Sequence, residues 1–182
     1  MLTPAALQER LAKLAETLPR QIAEVLTVGG LQAEAEAKKN ATAILHVRSG
    51  RLRRSIHTEV TATSDGAQMA LRAGGDKEVV YARIHEVGGT IVPKNGKFLA
   101  IPLAPALTGA GVSRYPSPRD VPGLSFRGNP ARGVLVDKAG TPWYALVKRV
   151  TIPARPYLGP AIDAVTPKII DRLGTIMAGL TQ

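Results

Sequence analysis

Cysteine is missing altogether from the 182 residues. Its absence excludes a disulfide framework, a thiolate metal site and a cysteine nucleophile, whichever redox compartment the chain occupies. Negative charge is also scarce, with 14 Asp and Glu against 24 Lys and Arg and a formal net charge of +10. Long apolar runs are lacking: the longest uncharged stretch, 98–113, contains Pro102 and Pro105 and is too short to span a bilayer. Glu9 and Arg10 interrupt the first apolar stretch, so no secretory signal and no membrane association are expected, and the cytoplasm is the expected site before any assembly step. Aromatics are few and one-sided, since Tyr81, Phe98, Tyr115, Phe126, Trp143, Tyr144 and Tyr157 all lie beyond position 80. Aliphatic side chains, by contrast, are plentiful. Leu, Ile, Val and Phe number 47, too many for a disordered polyelectrolyte, and one folded domain over 1–182 is expected.

The positive charge is concentrated. Residues 1–86 hold 12 basic and 10 acidic side chains, residues 87–162 hold 10 and 2, and residues 163–182 hold 2 and 2. A surface positive over that much chain attracts a polyanion or an acidic protein face through salt-sensitive forces, and charge alone does not choose between them.

Thr3-Pro4 reads as an N-cap followed by proline at the first helical position, and Leu7, Leu11, Leu14, Leu18, Ile22 and Val25 recur at helical spacing. An N-terminal helical region is expected over 1–46, kinked or interrupted at Pro19 and broken at Gly29-Gly30. After the basic stretch 48–54 the pattern alternates. Ile56, Thr58, Val60 and Ala62 share a face, Ser64-Asp65-Gly66 turns, and Met69, Leu71 and Ala73 return as a second strand. Val80, Ile84 and Val87 predict a short helix ended by Gly88-Gly89. Thr90–Lys94 and Lys97–Ile101 predict a hairpin around Asn95-Gly96. Residues 103–133 hold five Pro and five Gly and predict a long basic loop, mobile until a partner orders it. Val134–Asp137 and Trp143–Ile152 predict a further hairpin turning at Lys138-Ala139-Gly140, and Ile162, Val165, Ile169, Leu173, Ile176 and Leu180 predict a C-terminal helix over 160–182. The fold class is α+β, a small mostly antiparallel sheet covered by N-terminal and C-terminal helices, with a long Pro/Gly-rich loop insertion.

Little in the chain points to catalysis. His85-Glu86 opens like a zinc-protease helix motif, but position 89 is Gly where the second imidazole is required. His46, His57 and His85 fall in three different elements with no metal-ligand spacing, and Gly88-Gly89-Thr90 and Gly109-Ala110-Gly111 lack the flanking residues of phosphate loops. No serine sits in a nucleophile elbow, and Asp120 and Asp137 have nothing that pairs them as acid and base. No catalytic, cofactor-binding or metal-ligating residue is therefore assigned. Arg51, Arg53 and Arg54, with Arg114, Arg119, Arg127 and Arg132 of the loop, are the candidate assembly or polyanion contacts, because arginine stays charged and offers several donors.

Three segments in order carry a resemblance. They are Arg48-Ser49-Gly50-Arg51-Leu52-Arg53-Arg54-Ser55-Ile56, then Tyr81-Ala82-Arg83-Ile84-His85-Glu86-Val87-Gly88-Gly89, then Ile152-Pro153-Ala154-Arg155-Pro156-Tyr157-Leu158-Gly159-Pro160-Ala161-Ile162. This order resembles the virion-morphogenesis and tail-completion proteins of tailed bacteriophages, minor components of the neck where head and tail join. The motif residues have structural reasons to be there: Gly50, Gly88 and Gly89 let the backbone turn at helix ends, and Arg155-Pro156 fixes an extended approach that lets Tyr157 and Leu158 drop into the core. Leu52, Tyr81, His85 and Glu86 complete the set.

The resemblance implies a non-enzymatic structural protein of the virion neck or tail. It implies no cofactor, a homo-oligomeric ring (a hexamer) and other neck and tail proteins as partners; transient contact of packaged DNA with the arginines of the basic middle segment is expected from its charge. A tail-terminator or head-closure protein of the same neck is the alternative within that class. From other classes, the basic segment suggests a nucleic-acid-binding protein, and a hydrolase acting during infection would need a His or Asp that no pattern singles out.

Overall fold

The computed structural model describes residues 3–45, 49–63, 66–75, 81–129 and 131–180, and the chain is α+β. Its own contacts divide it into two compact units. Unit one is Met1–Leu45, Arg51–Ala82 and Pro156–Gln182; unit two is His46–Gly50 and Arg83–Arg155.

Unit one is built on a 41-residue helix, α1, Pro4–Ile44. The Thr3 hydroxyl accepts from the Ala6 N–H at 3.3 Å, satisfying one of the free donors of the first turn. The helix is about 60 Å long at 1.5 Å per residue. The helix is not interrupted at Pro19, and the break expected at Gly29-Gly30 does not occur. Both glycines are buried inside the helix because neighbours press against the backbone. A Cβ on Gly29 would lie 2.5 Å from Ile169 of the C-terminal helix, and one on Gly30 would lie 2.4 Å from Thr58 Cγ2. Here glycine serves close packing rather than termination. The helix also continues through Pro19, although proline costs about 3 kcal/mol in the interior of an isolated helix.

Two strands and two more helices complete this unit. Gly50, at φ 68°, leads into α2, Arg51–Ser55. Strands β1, His57–Thr63, and β2, Gly66–Arg72, pair antiparallel with Thr58 opposite Leu71 and Val60 opposite Met69, the alternation expected from the sequence. The Ser64-Asp65 part of that turn lies outside the described residues, as do His46, Arg48 and Val80. Helix α4, Gly159–Leu180, packs on α1 and stays helical through Pro167. The core gathers Ala37, Ala41, Leu45, Leu52, Ile56, Ala82, Tyr157 and Ala161.

Unit two holds all but the first residue of α3, Ala82–Val87, and the remaining strands. The hairpin expected around Asn95-Gly96 does not form. Strand β3, Gly89–Ile91, pairs instead with β8, Val150–Ile152, and β4, Leu99–Pro102, pairs with β7, Pro142–Val147. Neither Asn95 nor Gly96 has a positive φ, so the type I′ turn that would have joined the two strands is absent.

The stretch 103–133, expected as a bare loop, is largely structured. It contains 3-10 turns at Ala104–Ala106 and Pro118–Asp120, a bridge between Leu107 and Ser113, strand β5, Ser125–Gly128, and the start of β6, Arg132–Val136. Ser117 and Asp120 cap the second turn reciprocally, and Ala106 and Val121 are buried against Tyr144. The four-stranded sheet runs β4-β7-β6-β5, all antiparallel. The β6–β7 hairpin forms as expected, while Trp143–Ile152 divides into β7 and β8.

Candidate assembly site

Residues from all three motif segments meet in the core of unit one. Leu52 enters from α2, Ala82 from the start of α3, and Tyr157 and Ala161 from the approach to α4, with Tyr81 and Leu158 packed against them. Tyr157 is fully buried. Its hydroxyl donates to the Ala82 carbonyl at 3.3 Å, and its own carbonyl accepts from Asn40 Nδ2 of α1, also at 3.3 Å. A buried phenol with a satisfied hydroxyl anchors rather than reacts. Segments separated by about a hundred residues thus specify one packed junction.

The other motif residues form a second junction inside unit two. Gly88 has φ 70°, and a Cβ there would lie 2.7 Å from the backbone nitrogen of Ala154, so only glycine fits. The Arg155 N–H donates to the His85 carbonyl at 2.8 Å, and Gly89 pairs with Ile152. Burial, and then the Arg155 charge, hold the His85 imidazole below its ordinary pKa. That favours a neutral packing histidine. Glu86 is half-buried and Pro156 exposed.

The candidate arginines do not form one cluster. Arg51, Arg53 and Arg54 project from α2 in unit one, all exposed, and Arg53 lines an open groove with Ala35, Lys38, Lys39, Thr42 and Ala43 of α1. Lys38 and Lys39 are paired there with Glu34 at 2.6 Å and Glu36 at 3.1 Å, which leaves that groove near neutral. The remaining four belong to unit two. Arg114 spends its Nε–H on the Leu107 carbonyl at 2.7 Å and so holds its own loop. Arg119 sits in the second 3-10 turn, whereas Arg127 and Arg132 stand on paired strands β5 and β6. Unit two holds 12 basic and 3 acidic residues, a charge of +9, against 12 and 11 in unit one. Lys97, Lys148 and Arg149, absent from the sequence candidates, belong to this charge; strand register rather than local pattern brings them near Arg127 and Arg132.

Among the described residues no group of His, Asp and Glu is arranged to hold a metal, and no helix is long and apolar enough to cross a membrane. The fold is α+β, with motif residues in the core of unit one and the candidate arginines outside both cores. Residues 5–88 match the family model described as "Bacteriophage HK97-gp10, putative tail-component". That stretch is similar to an HK97-gp10-like tail component, which bears out the resemblance to phage tail-morphogenesis proteins. The first two motif segments fall within the matched residues as far as Gly88; the third lies beyond them. No curated protein and no solved structure matches the chain.

Proposed function

We propose that this chain is a structural protein of the phage virion, seated in the neck, where it completes the tail or joins it to the head. It works without turnover, as a homo-oligomeric ring that docks other neck and tail proteins, after synthesis in the host cytoplasm. A hexamer is the copy number this reading favours. The observation that carries the proposal is the match of residues 5–88 to a tail-component family. The convergence of Leu52, Ala82 and Tyr157 on one core supports it, because the motif residues specify packing rather than chemistry.

Unit one also exposes apolar side chains that a lone subunit leaves wet. Leu7 and Leu11 on α1 are 48% and 58% exposed, and Ile170 and Met177 on α4 are 63% and 55% exposed. Helix faces of this kind suit subunit packing, with charge guiding register between rings. Deleting the gene from its parent phage and restoring it from a plasmid tests the reading by electron microscopy of lysates. Filled heads separated from finished or overlong tails, rescued by the plasmid, are expected; normal infectious particles from the deletion would remove the proposal. A tail terminator and a head-closure protein differ in which half of the particle is left defective.

A further inference from the structure

The four-stranded sheet of unit two gathers cations at one end. Leu99 of β4 and Arg132 of β6 both face Val147 of β7, and Gly128 of β5 faces Gly133, so these residues mark a common end of the sheet. Lys97 lies two residues before β4, Arg127 is next to last in β5, Arg132 opens β6, and Lys148 and Arg149 follow β7. All five are exposed. None makes an ion pair among the described residues. Asp137 lies at the opposite end, where its carboxylate accepts from the Thr141 N–H at 2.9 Å and from Trp143 Nε1 at 3.1 Å. Arg127, opposite Val134, and Arg132, two residues before Val134, are diagonal neighbours on one face. Holding like charges side by side on a paired scaffold is self-repulsive, and an anion seated across them relieves that repulsion.

The aromatic residues beside this charge decide the kind of anion. Phe98 and Phe126 stack on each other, centroids 6.3 Å apart and planes 30° from parallel, and Gly133 leaves room for the Phe126 ring: a Cβ there would lie 2.4 Å from its Cε2. Each ring turns one face to the other and braces the outer strands, so an unpaired base meets at most the outer side of Phe126, which is 49% exposed. Lysine and unpaired charge are depleted from the cores of protein interfaces, whereas nucleic-acid interfaces are strongly positive. We propose that this end of the sheet binds the phosphate backbone of duplex DNA through Lys97, Arg127, Arg132, Lys148 and Arg149, without reading base sequence. The inference rests on the chemistry of unit two and stands or falls separately from the placement in the neck.

Fluorescence anisotropy of the full chain with a labelled mixed-sequence duplex tests it. Affinity is expected to fall with salt, log K against log salt having a slope of about −4.5 for five phosphate contacts. The combined variant Lys97→Gln, Arg127→Gln, Arg132→Gln, Lys148→Gln, Arg149→Gln is expected to lose about a hundredfold in affinity at low salt and most of that slope. The pair Arg127→Gln, Arg132→Gln loses an intermediate amount and decides the matter if the fivefold variant fails to fold. Lys138→Gln, at the opposite end of the sheet, leaves binding unchanged. Absence of binding at low salt, or retention of wild-type affinity by a folded cluster variant, overturns the proposal. So does tighter binding of the matching single strand, which would assign a base-stacking site, or equal competition by polyglutamate, which would assign an acidic protein.

Discussion

Tyr157 is the residue on which unit one should depend most. It is fully buried, it is the largest side chain to be so, and its ring lies in the cluster that joins α1, α2, the start of α3 and α4. Tyr157→Ala deletes an aromatic ring from that cluster and leaves a cavity that helix backbones cannot close, at a cost of about 3–5 kcal/mol. Tyr157→Phe keeps the ring and removes only the 3.3 Å hydrogen bond to the Ala82 carbonyl, at about 1 kcal/mol. Urea unfolding followed by far-ultraviolet circular dichroism separates the two. With an m-value of about 2 kcal/mol per molar, the midpoint should fall by about 2 M for alanine and about 0.5 M for phenylalanine. Leu52→Ala combined with Tyr157→Ala should depart from additivity by at least about 0.5 kcal/mol, because both side chains belong to one cluster. An alanine variant within about 1 kcal/mol of wild type, or strict additivity of the pair, would refute the claim that the motif segments share a core.

Other positions carry sharp expectations. Gly30→Ala would help an open helix by about 1 kcal/mol but should here cost about 1–3 kcal/mol in the same unfolding assay. Its methyl would strike Thr58 Cγ2, and turning Thr58 aside breaks its 2.9 Å hydrogen bond to the Gly30 carbonyl. Gly88→Ala should destabilise by about 2 kcal/mol or more, since it meets both a positive φ and the Ala154 backbone; a neutral result would mean that the α3–β3 turn is not closed against 154. His85 should make stability fall with pH. Its folded pKa is depressed by burial, so its contribution is present above the ordinary value near about 6.5 and is lost as pH falls through the folded value. His57 runs the other way. Its Nδ1–H bond to the Ser55 carbonyl, and then Glu59, raise its pKa, so its contribution is present below about 6.5 and is lost as pH rises through the folded value. In a His57→Gln background, stability should therefore fall between about pH 7 and pH 5, and most of that fall should vanish when His85→Gln is added; an unchanged fall would clear His85.

Local signals in the sequence read well. The Thr3-Pro4 cap, the helical spacing from Leu7 to Val25, the β1 and β2 alternation and the β6–β7 turn all reappear in the structure. Each depends on neighbours a few residues away. The failures are long-range. Gly29-Gly30 looks like a stop unless Ile169 and Thr58 are known to lie against it. Thr90-Ile91 and Leu99-Ala100-Ile101 look like each other's partners until β8 and β7 are found paired with them. The 103–133 stretch looked like a bare loop because its order comes from Ala106 and Val121 packing on Tyr144, a contact that no local period announces.

The candidate contacts show the same division. Tyr157 was legible as an anchor because a proline-fixed approach precedes a helical apolar pattern. Arg127 and Arg132 were legible as charge, whereas Lys97, Lys148 and Arg149 join them only through strand register. Arg114 was legible as charge, but not its Nε–H bond to the Leu107 carbonyl of its own loop.

The most direct test of the neck placement is to locate the chain in purified infectious particles, by antibody labelling of the intact virion together with mass spectrometry of separated heads and tails. A fixed small number of copies confined to the head–tail junction is the expected result. Absence from infectious particles, or distribution along the whole tail, would contradict it.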